Sequence, residues 1–216
     1  MEHVAGFCLS EGIVDDLDDF EHITRCEGSD AYAMNAKITT SRHRKIENNL
    51  NKRGYISQTS CGICGKEVID DIVKVTFPFR NEVKLNIEKA YKCLESLSKY
   101  QPLRRITRAS HGAAIFGFDF EILSFAEDVG RHNALDKAIG KVFLKKKLSL
   151  ATLVVLSSRI SYELVQKAAR ARITTIIAVS RPTSLARDLA KKLNMTLACF
   201  AKNDGLYIYC GKKRLL

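Results

Sequence analysis

Two thiols three positions apart, Cys61 and Cys64 in "TSCGICGK" (59–66), are the residues best placed to do chemistry. A pair at this spacing serves a metal, a redox disulfide, or a sulfur atom handed between partners. A structural zinc takes four ligands, and here one pair stands alone. Cys199 and Cys210 flank a turn rather than a zinc knuckle, and none of the five histidines forms an H-x₃₋₅-H pair. No metal is therefore expected. Zinc deaminases combine H-x-E with P-C-x-x-C. No histidine here is followed two positions later by Glu, and Ser60 precedes Cys61. A thioredoxin-like couple opens a helix, whereas Gly62 and Gly65 favour a pliable loop. Pliability suits a thiol that visits two places. A thiolate can attack the outer sulfur of a donor persulfide, hold it, and present it to an acceptor. Lys66 favours the thiolate, and the second thiol can release the sulfur by closing a disulfide.

The pair must be held by a fold, and composition bounds that fold. The chain has 216 residues, 46% hydrophobic and 27% charged, which suits a globular protein with a real core. No stretch approaches the roughly 18 to 20 apolar residues of a membrane span. The opening "MEHVAGFCLSEGIVDDLDDF" is acidic and lacks a basic leader, so a cytoplasmic protein without a membrane partner is expected. Cys8, Cys26, Cys93, Cys199 and Cys210 are scattered and read as small hydrophobes in a reducing compartment. The net charge of +11 favours anionic partners: a phosphorylated cofactor, an acidic protein surface or a nucleic acid. Nucleic acid is disfavoured, because no aromatic-rich basic motif is present.

Two parts differ in pattern. Residues 1–100 read as a smaller, irregular region with an acidic cluster, "DDLDDF", a basic stretch, "SRHRKIENNLNKRG", and the thiol loop. A helix follows from Asn86 to Tyr100, with Asn86 as its cap. Residues 101–216 read as an α/β core, continuous with the first part in one globular unit. "AAIFGF" and "FEILSFA" form a strand pair, and "NALDKAIGKVFLKKK" an amphipathic helix. "LATLVVL", "ITTIIAV", "MTLACFA" and "LYIYC" are strands; "SYELVQKAARA" and "TSLARDLAKKL" are helices. Continuous apolar strands joined by helices imply three α/β/α layers around a mostly parallel mixed sheet.

Ligands of such sheets bind beyond the carboxyl ends of the strands. Three strand-to-helix turns there carry arginines, and the last two also carry hydroxyls: the run Glu127 to Asn133, then Ser157-Ser158-Arg159, then Ser180-Arg181. Helix starts beside arginine bind phosphate well, although Ser and Thr at such turns also serve as plain caps. Arg131, Arg159 and Ser180 are the candidate phosphate contacts, and His111 and His132 suit phosphate contact, proton transfer or a structural hydrogen bond. Asp128 and Arg131 are expected to pair and shape their turn.

Together, "TSCGICGK", "EDVGRHNALDKAIG", "SRISYELVQKAARA" and "VSRPTSLARDLAKKL" resemble the formate dehydrogenase accessory sulfurtransferases, the FdhD family. The likeness runs from "GFCLSEGIV" to "FAKNDGLYIY". It implies a cytidine-deaminase-like α/β/α fold, often dimeric. It implies sulfur carriage from a cysteine desulfurase to the molybdenum bis(molybdopterin guanine dinucleotide) group of formate dehydrogenase. Cys61 then bears the persulfide with Cys64 assisting, and Phe200, Ala201, Lys202, Asn203, Asp204 and Gly205 match a cofactor-binding segment. Phe200 suits stacking on a heterocycle and packing in a core equally. A cofactor-holding chaperone without catalysis is the alternative. The chain departs from the family where Arg108-Ala109 replaces Gly-Gly, Ser158 replaces Gly, and Arg172-Ile173-Thr174 replaces Gly-Ile-Pro.

Overall fold

The computed structural model describes residues 1–26, 33–52, 78–80, 83–201 and 205–216. The chain begins with helix α1 (Glu2–Ser10), a hairpin of β1 (Phe20–Arg25) and β2 (Met34–Ile38), and helix α2 (Thr40–Lys52). Helices α3 (Ile87–Ser96) and α4 (Pro102–Thr107) lead into the sheet strands β3 (His111–Phe116) and β4 (Ile122–Asp128). Then come α5 (Arg131–Leu144), β5 (Leu153–Leu156), α6 (Tyr162–Arg170), β6 (Thr175–Ala178), α7 (Ser184–Lys192), β7 (Thr196–Phe200) and β8 (Leu206–Cys210).

Six strands form one sheet in the order β4-β3-β5-β6-β7-β8. Only β5-β6 and β6-β7 pair in parallel; β3-β4, β3-β5 and β7-β8 are antiparallel. The α/β class and the mixed sheet are as expected, but the sheet is parallel only at its centre. The reason lies in the connections. Short links join β3 to β4 and β7 to β8 as hairpins, while α6 and α7 carry the two crossovers that parallel pairing needs.

Alternation along the central strands builds two cores. Val154 and Leu156 of β5, with Ile176 and Ala178 of β6, face α1, α5, α6 and α7. Leu153, Val155 and Ile177 face α3. Strands buried on both faces read as unbroken apolar runs, which is why their sequences show no alternation. The layers are thus helix, sheet and helix.

The N-terminal part is more regular than its sequence suggests. Helix α1 lies against α5 at a glycine contact: a Cβ on Gly6 would stand 1.8 Å from the Asp136 carbonyl oxygen, and one on Gly140 would stand 1.8 Å from that of Glu2. Glycine at both positions lets the two backbones meet. The acidic and basic runs also engage each other. Arg42 of α2 is buried, donates to Ile13 O at 2.7 Å and Gly12 O at 2.8 Å, and pairs with Asp15. Arg170 of α6 pairs with Asp15 at 2.7 Å.

Helix ends are closed in one recurrent way. Arg172 follows α6 at φ 63°, with Arg172 N–H bonded to Ala169 O and Ile173 N–H to Ala168 O. Lys146 and Asn194 close α5 and α7 with the same paired bonds and a positive φ. This is the Schellman closure, in which glycine is the residue of least strain. Arg108, ending α4, has φ 55°. Two positions where the family pattern carries glycine are thus left-handed here, with arginine in place.

Candidate functional site

Register places the candidate turns along one edge of the sheet. His111 pairs with Asp128, Ala113 with Leu156, Leu156 with Ala178, and Ala178 with Cys199. The start of β3 therefore lies beside the ends of β4, β5, β6 and β7. His111, Arg131, His132, Arg159, Ser180, Phe200, Ala201 and Gly205 all occur at or just beyond this edge. Cys61 and Cys64, and Lys202, Asn203 and Asp204 of the proposed cofactor segment, lie outside the described residues.

Two of the three helix starts at this edge have no capping bond from the N-cap side chain. Gly130 precedes α5 and has no side chain to offer, while Ser161 precedes α6 but makes no capping bond. Its hydroxyl lies instead 3.1 Å from His132 Nε2. Helix α7, by contrast, is capped by Thr183 Oγ1, which accepts from Ala186 N–H at 3.2 Å. Uncapped N–H groups beside arginine attract anions.

His111 and Arg131 complete the electropositive corner. His111 Nδ1 and Arg131 Nε are buried and have no hydrogen-bond partner among the described residues. Burial, then the nearby Arg104 and Arg131 guanidinium groups, hold the His111 imidazole below the usual histidine range. His132 is lowered by burial and then by Arg131, although Glu163, 3.8 Å from its Nε2, pulls the other way. These influences favour the neutral form of both rings, while an approaching anion would favour the protonated one.

Asp128 does not pair with Arg131 as the sequence suggested. It pairs with Lys137, one helical turn and more along α5, and accepts from Gly130 N–H at 2.8 Å. Burial pushes its carboxyl up, but these partners outweigh it and hold it below the ordinary range. Arg131 is left without its expected counter-ion. Arg159 is exposed and Ser180 half-buried at the same edge.

Phe200 is neither a pure core residue nor a free platform. Its ring stacks on Tyr91 of α3 at 6.1 Å and 12°, while the residue stays 39% exposed. Farther along, Arg181 with Tyr207, Ile208 and Tyr209 of β8 lines a cavity of about 330 Å³. Pattern reasoning missed three contributors. Glu127 accepts from Leu103 N–H and Arg104 N–H, each at 2.9 Å, and from the Ser110 hydroxyl at 2.8 Å. It thereby caps α4 from a neighbouring strand and fixes the approach to His111. Ser161 and Glu163, which orient His132, were legible only as a helix start.

Three of the other thiols are poor nucleophiles. Burial pushes Cys8 and Cys93 up to about 11, and it also raises Cys210. Among the described residues no group of His, Cys, Asp and Glu is arranged to hold a metal, and no helix is long and apolar enough to cross a membrane.

Comparison with known proteins places these features in a family. The model of the FdhD/NarQ family matches residues 1–216. Sulfur carrier protein FdhD of Bordetella bronchiseptica is 36% identical over 213 residues, covering 97% of this chain and 75% of the relative. The protein of the same name from Xanthomonas euvesicatoria is 33% identical, covering 97% and 74%. That of Streptomyces avermitilis is 33% identical, covering 98% and 78%. A crystal structure assigned as a formate dehydrogenase accessory protein from Desulfotalea psychrophila superposes with a TM-score of 0.73. It is 22% identical, with 100% of this chain and 79% of that chain covered, so the likeness speaks to the fold.

Proposed function

The chain belongs to the FdhD/NarQ family, and we propose that it is a sulfur carrier for formate dehydrogenase. It takes persulfide sulfur from a cysteine desulfurase and passes it to the molybdenum bis(molybdopterin guanine dinucleotide) group, which is its substrate. The observation that carries this reading is the anion-seeking corner. Buried nitrogens of His111 and Arg131, without a partner among the described residues, lie at the same sheet edge as two helix starts whose N-cap side chains make no capping bond. Such a corner suits the pyrophosphates of a guanine dinucleotide. The names of the curated relatives supply the sulfur chemistry.

The steps follow from thiol exchange. The Cys61 thiolate attacks the outer sulfur of the donor persulfide. A bond forms between that sulfur and Cys61 Sγ, the donor S–S bond breaks, and the donor leaves as a thiolate. Cys64 then attacks Cys61 Sγ. Sulfide leaves with the bonding pair, the two cysteines are oxidised to a disulfide, and the sulfur is reduced for delivery to the acceptor. A cellular dithiol restores the pair, as a cytoplasmic location permits.

Arg131 and His111 hold the substrate's phosphates during delivery. His111 takes up a proton as the anion binds and so strengthens the contact. The Tyr91–Phe200 stack, part-exposed, offers a flat face for a guanine or pterin ring.

The test is intact mass after incubation with a cysteine desulfurase and cysteine. A gain of one sulfur atom is expected, reversed by reductant and mapped to Cys61. If formate dehydrogenase still matures when Cys61 and Cys64 are both replaced by Ala, the chain is a cofactor-holding chaperone instead.

A further inference from the structure

The surface beside the site has a chemistry that anion binding does not use. Helix α4 carries the sequence "PLRRIT" and is followed by Arg108. Leu103 is 52% exposed, Ile106 83%, and Val129, in the turn after β4, 79%. Leu103 and Ile106 are three apart and share a face of the helix. Glu127 draws Val129's turn against that helix through its bonds to Leu103 N–H and Arg104 N–H. Arg105 and Arg108, on the same short segment as Leu103 and Ile106, are exposed.

Among the described residues no ion pair balances these arginines. From residue 102 to 110 the chain has three arginines and no carboxylate. Glu127 and Asp128, at the end of the adjoining strand, are already engaged by helix amides, Ser110, Lys137 and Gly130. The result is a set of aliphatic studs accompanied by arginine. Arginine, not lysine, is the cation that protein interfaces favour, since it is weakly hydrated and binds carboxylates in pairs.

We infer that Leu103, Ile106 and Val129, together with Arg105 and Arg108, form a docking surface for an acidic protein segment that carries aliphatic side chains. Charge complementarity selects that occupant. Helix α4 offers a lipid interface only Leu103 and Ile106, and such binding grows with the apolar area buried. A single-stranded nucleic acid needs aromatic faces on which to stack, and the studs are aliphatic. The acidic run at 15–19 of a second copy is not free to dock. That run is already engaged: Asp15 holds Arg42 and Arg170, Asp16 accepts from Leu17 N–H, and Asp19 accepts from the Asp15 and Asp16 amides. A partner docked on α4 would rest beside His111 and Arg131, within reach of whatever the site holds. This inference stands without the sulfur-carrier reading, because it uses neither thiol.

The probe is a fluorescent synthetic peptide of roughly twelve residues, alternating glutamate and leucine pairs, titrated into the full chain. Saturable binding that weakens as salt rises is expected. Ile106→Asp should weaken it about tenfold or more, as loss of an interface anchor does. Arg108→Gly should weaken it while leaving the fold at least as stable, because glycine relieves the left-handed backbone at that position. That variant separates lost docking from lost folding. The inference is overturned if the peptide does not bind, or binds both variants as tightly as the parent. It is equally overturned if vesicles of phosphatidylcholine and phosphatidylglycerol compete through the same residues, or if Ile106→Asp instead shifts the oligomeric state.

Discussion

His132 and Ser161 join two helix starts through a single hydrogen bond, with Nε2 and Oγ 3.1 Å apart. The hydroxyl that would cap α6 is spent on orienting an imidazole at the start of α5. Ser161→Ala should therefore cost about 1 kcal/mol of stability, the ordinary worth of a part-buried hydrogen bond. It should also release the tautomer of His132, visible in its ring nitrogen shifts. Ser161→Thr, which keeps the hydroxyl, should restore both. An unchanged ring spectrum in Ser161→Ala would remove the orienting role.

The two site histidines make stability depend on pH with a definite sign. Burial first, and neighbouring arginines second, hold His111 and His132 below their ordinary value of 6.5. Between the folded and unfolded values the unfolded chain binds more protons, so stability falls as pH drops. Loss should begin as pH falls through about 6.5 and end below the folded values. His111→Gln should flatten part of that slope in urea titrations from pH 8 to about pH 5. Inorganic pyrophosphate should bind more tightly as pH falls over the same window, since each proton gained adds positive charge. Affinity that does not vary with pH would detach His111 from anion binding.

Lys167 is the buried cation under the site. It lies 2.9 Å from Glu11 Oε1 and 2.9 Å from Asp136 Oδ2, with its ammonium 5.4 Å from the centre of the Phe7 ring. Burial works against its charge, but Asp136 and Glu11 outweigh that and raise it. Lys167→Met should cost about 3 kcal/mol, because Asp136 is left buried without its cation. Changing Asp136→Asn in the same chain should recover part of the loss, and chemical denaturation of both variants measures it. Additive losses in the double variant would show that the two groups are not coupled.

Arg172 tests the strained helix closures. Arg172→Gly removes a side chain held at φ 63°, worth about 1 kcal/mol. It also forfeits the guanidinium over the Phe79 ring, 5.8 Å from its centre, worth roughly 0.5 kcal/mol where exposed. A net gain of about 0.5 kcal/mol is expected. Arg172→Ala keeps the strain and loses the ring, so it should be less stable than the parent. The order Gly, Arg, Ala in thermal unfolding confirms the account; Ala above Arg would contradict it.

Much of the sheet half was legible because its signals are local. The expected cap at Asn86 is real, with Asn86 Oδ1 accepting from Lys89 N–H at 2.9 Å. Thr183 likewise caps α7, and the apolar runs ending at Leu156 and Ala178 are buried strands. What escaped reading depends on distant partners. Helix α1 has little amphipathic pattern because Gly6, rather than a bulky side chain, meets α5. The cap of α4 comes from Glu127, across 23 and 24 residues of chain. Arg131 appeared destined for Asp128, yet Lys137 takes that carboxylate because it returns over the turn on the same helix. The positive φ at Arg108 and Arg172 was signalled only by the family's preference for glycine there.

The capping of α4 by Glu127 also sets an order of assembly. A helix of 6 residues is far shorter than the length at which isolated helices persist in water. Its first amides find their acceptor only after β4 has paired with β3 and brought Glu127 into place. The segment is thus among the last parts of the chain to settle, and in amide exchange it should be among the first to open. Glu127→Gln, keeping the shape but weakening the acceptor, should speed exchange at 103 and 104 while the central strands stay protected.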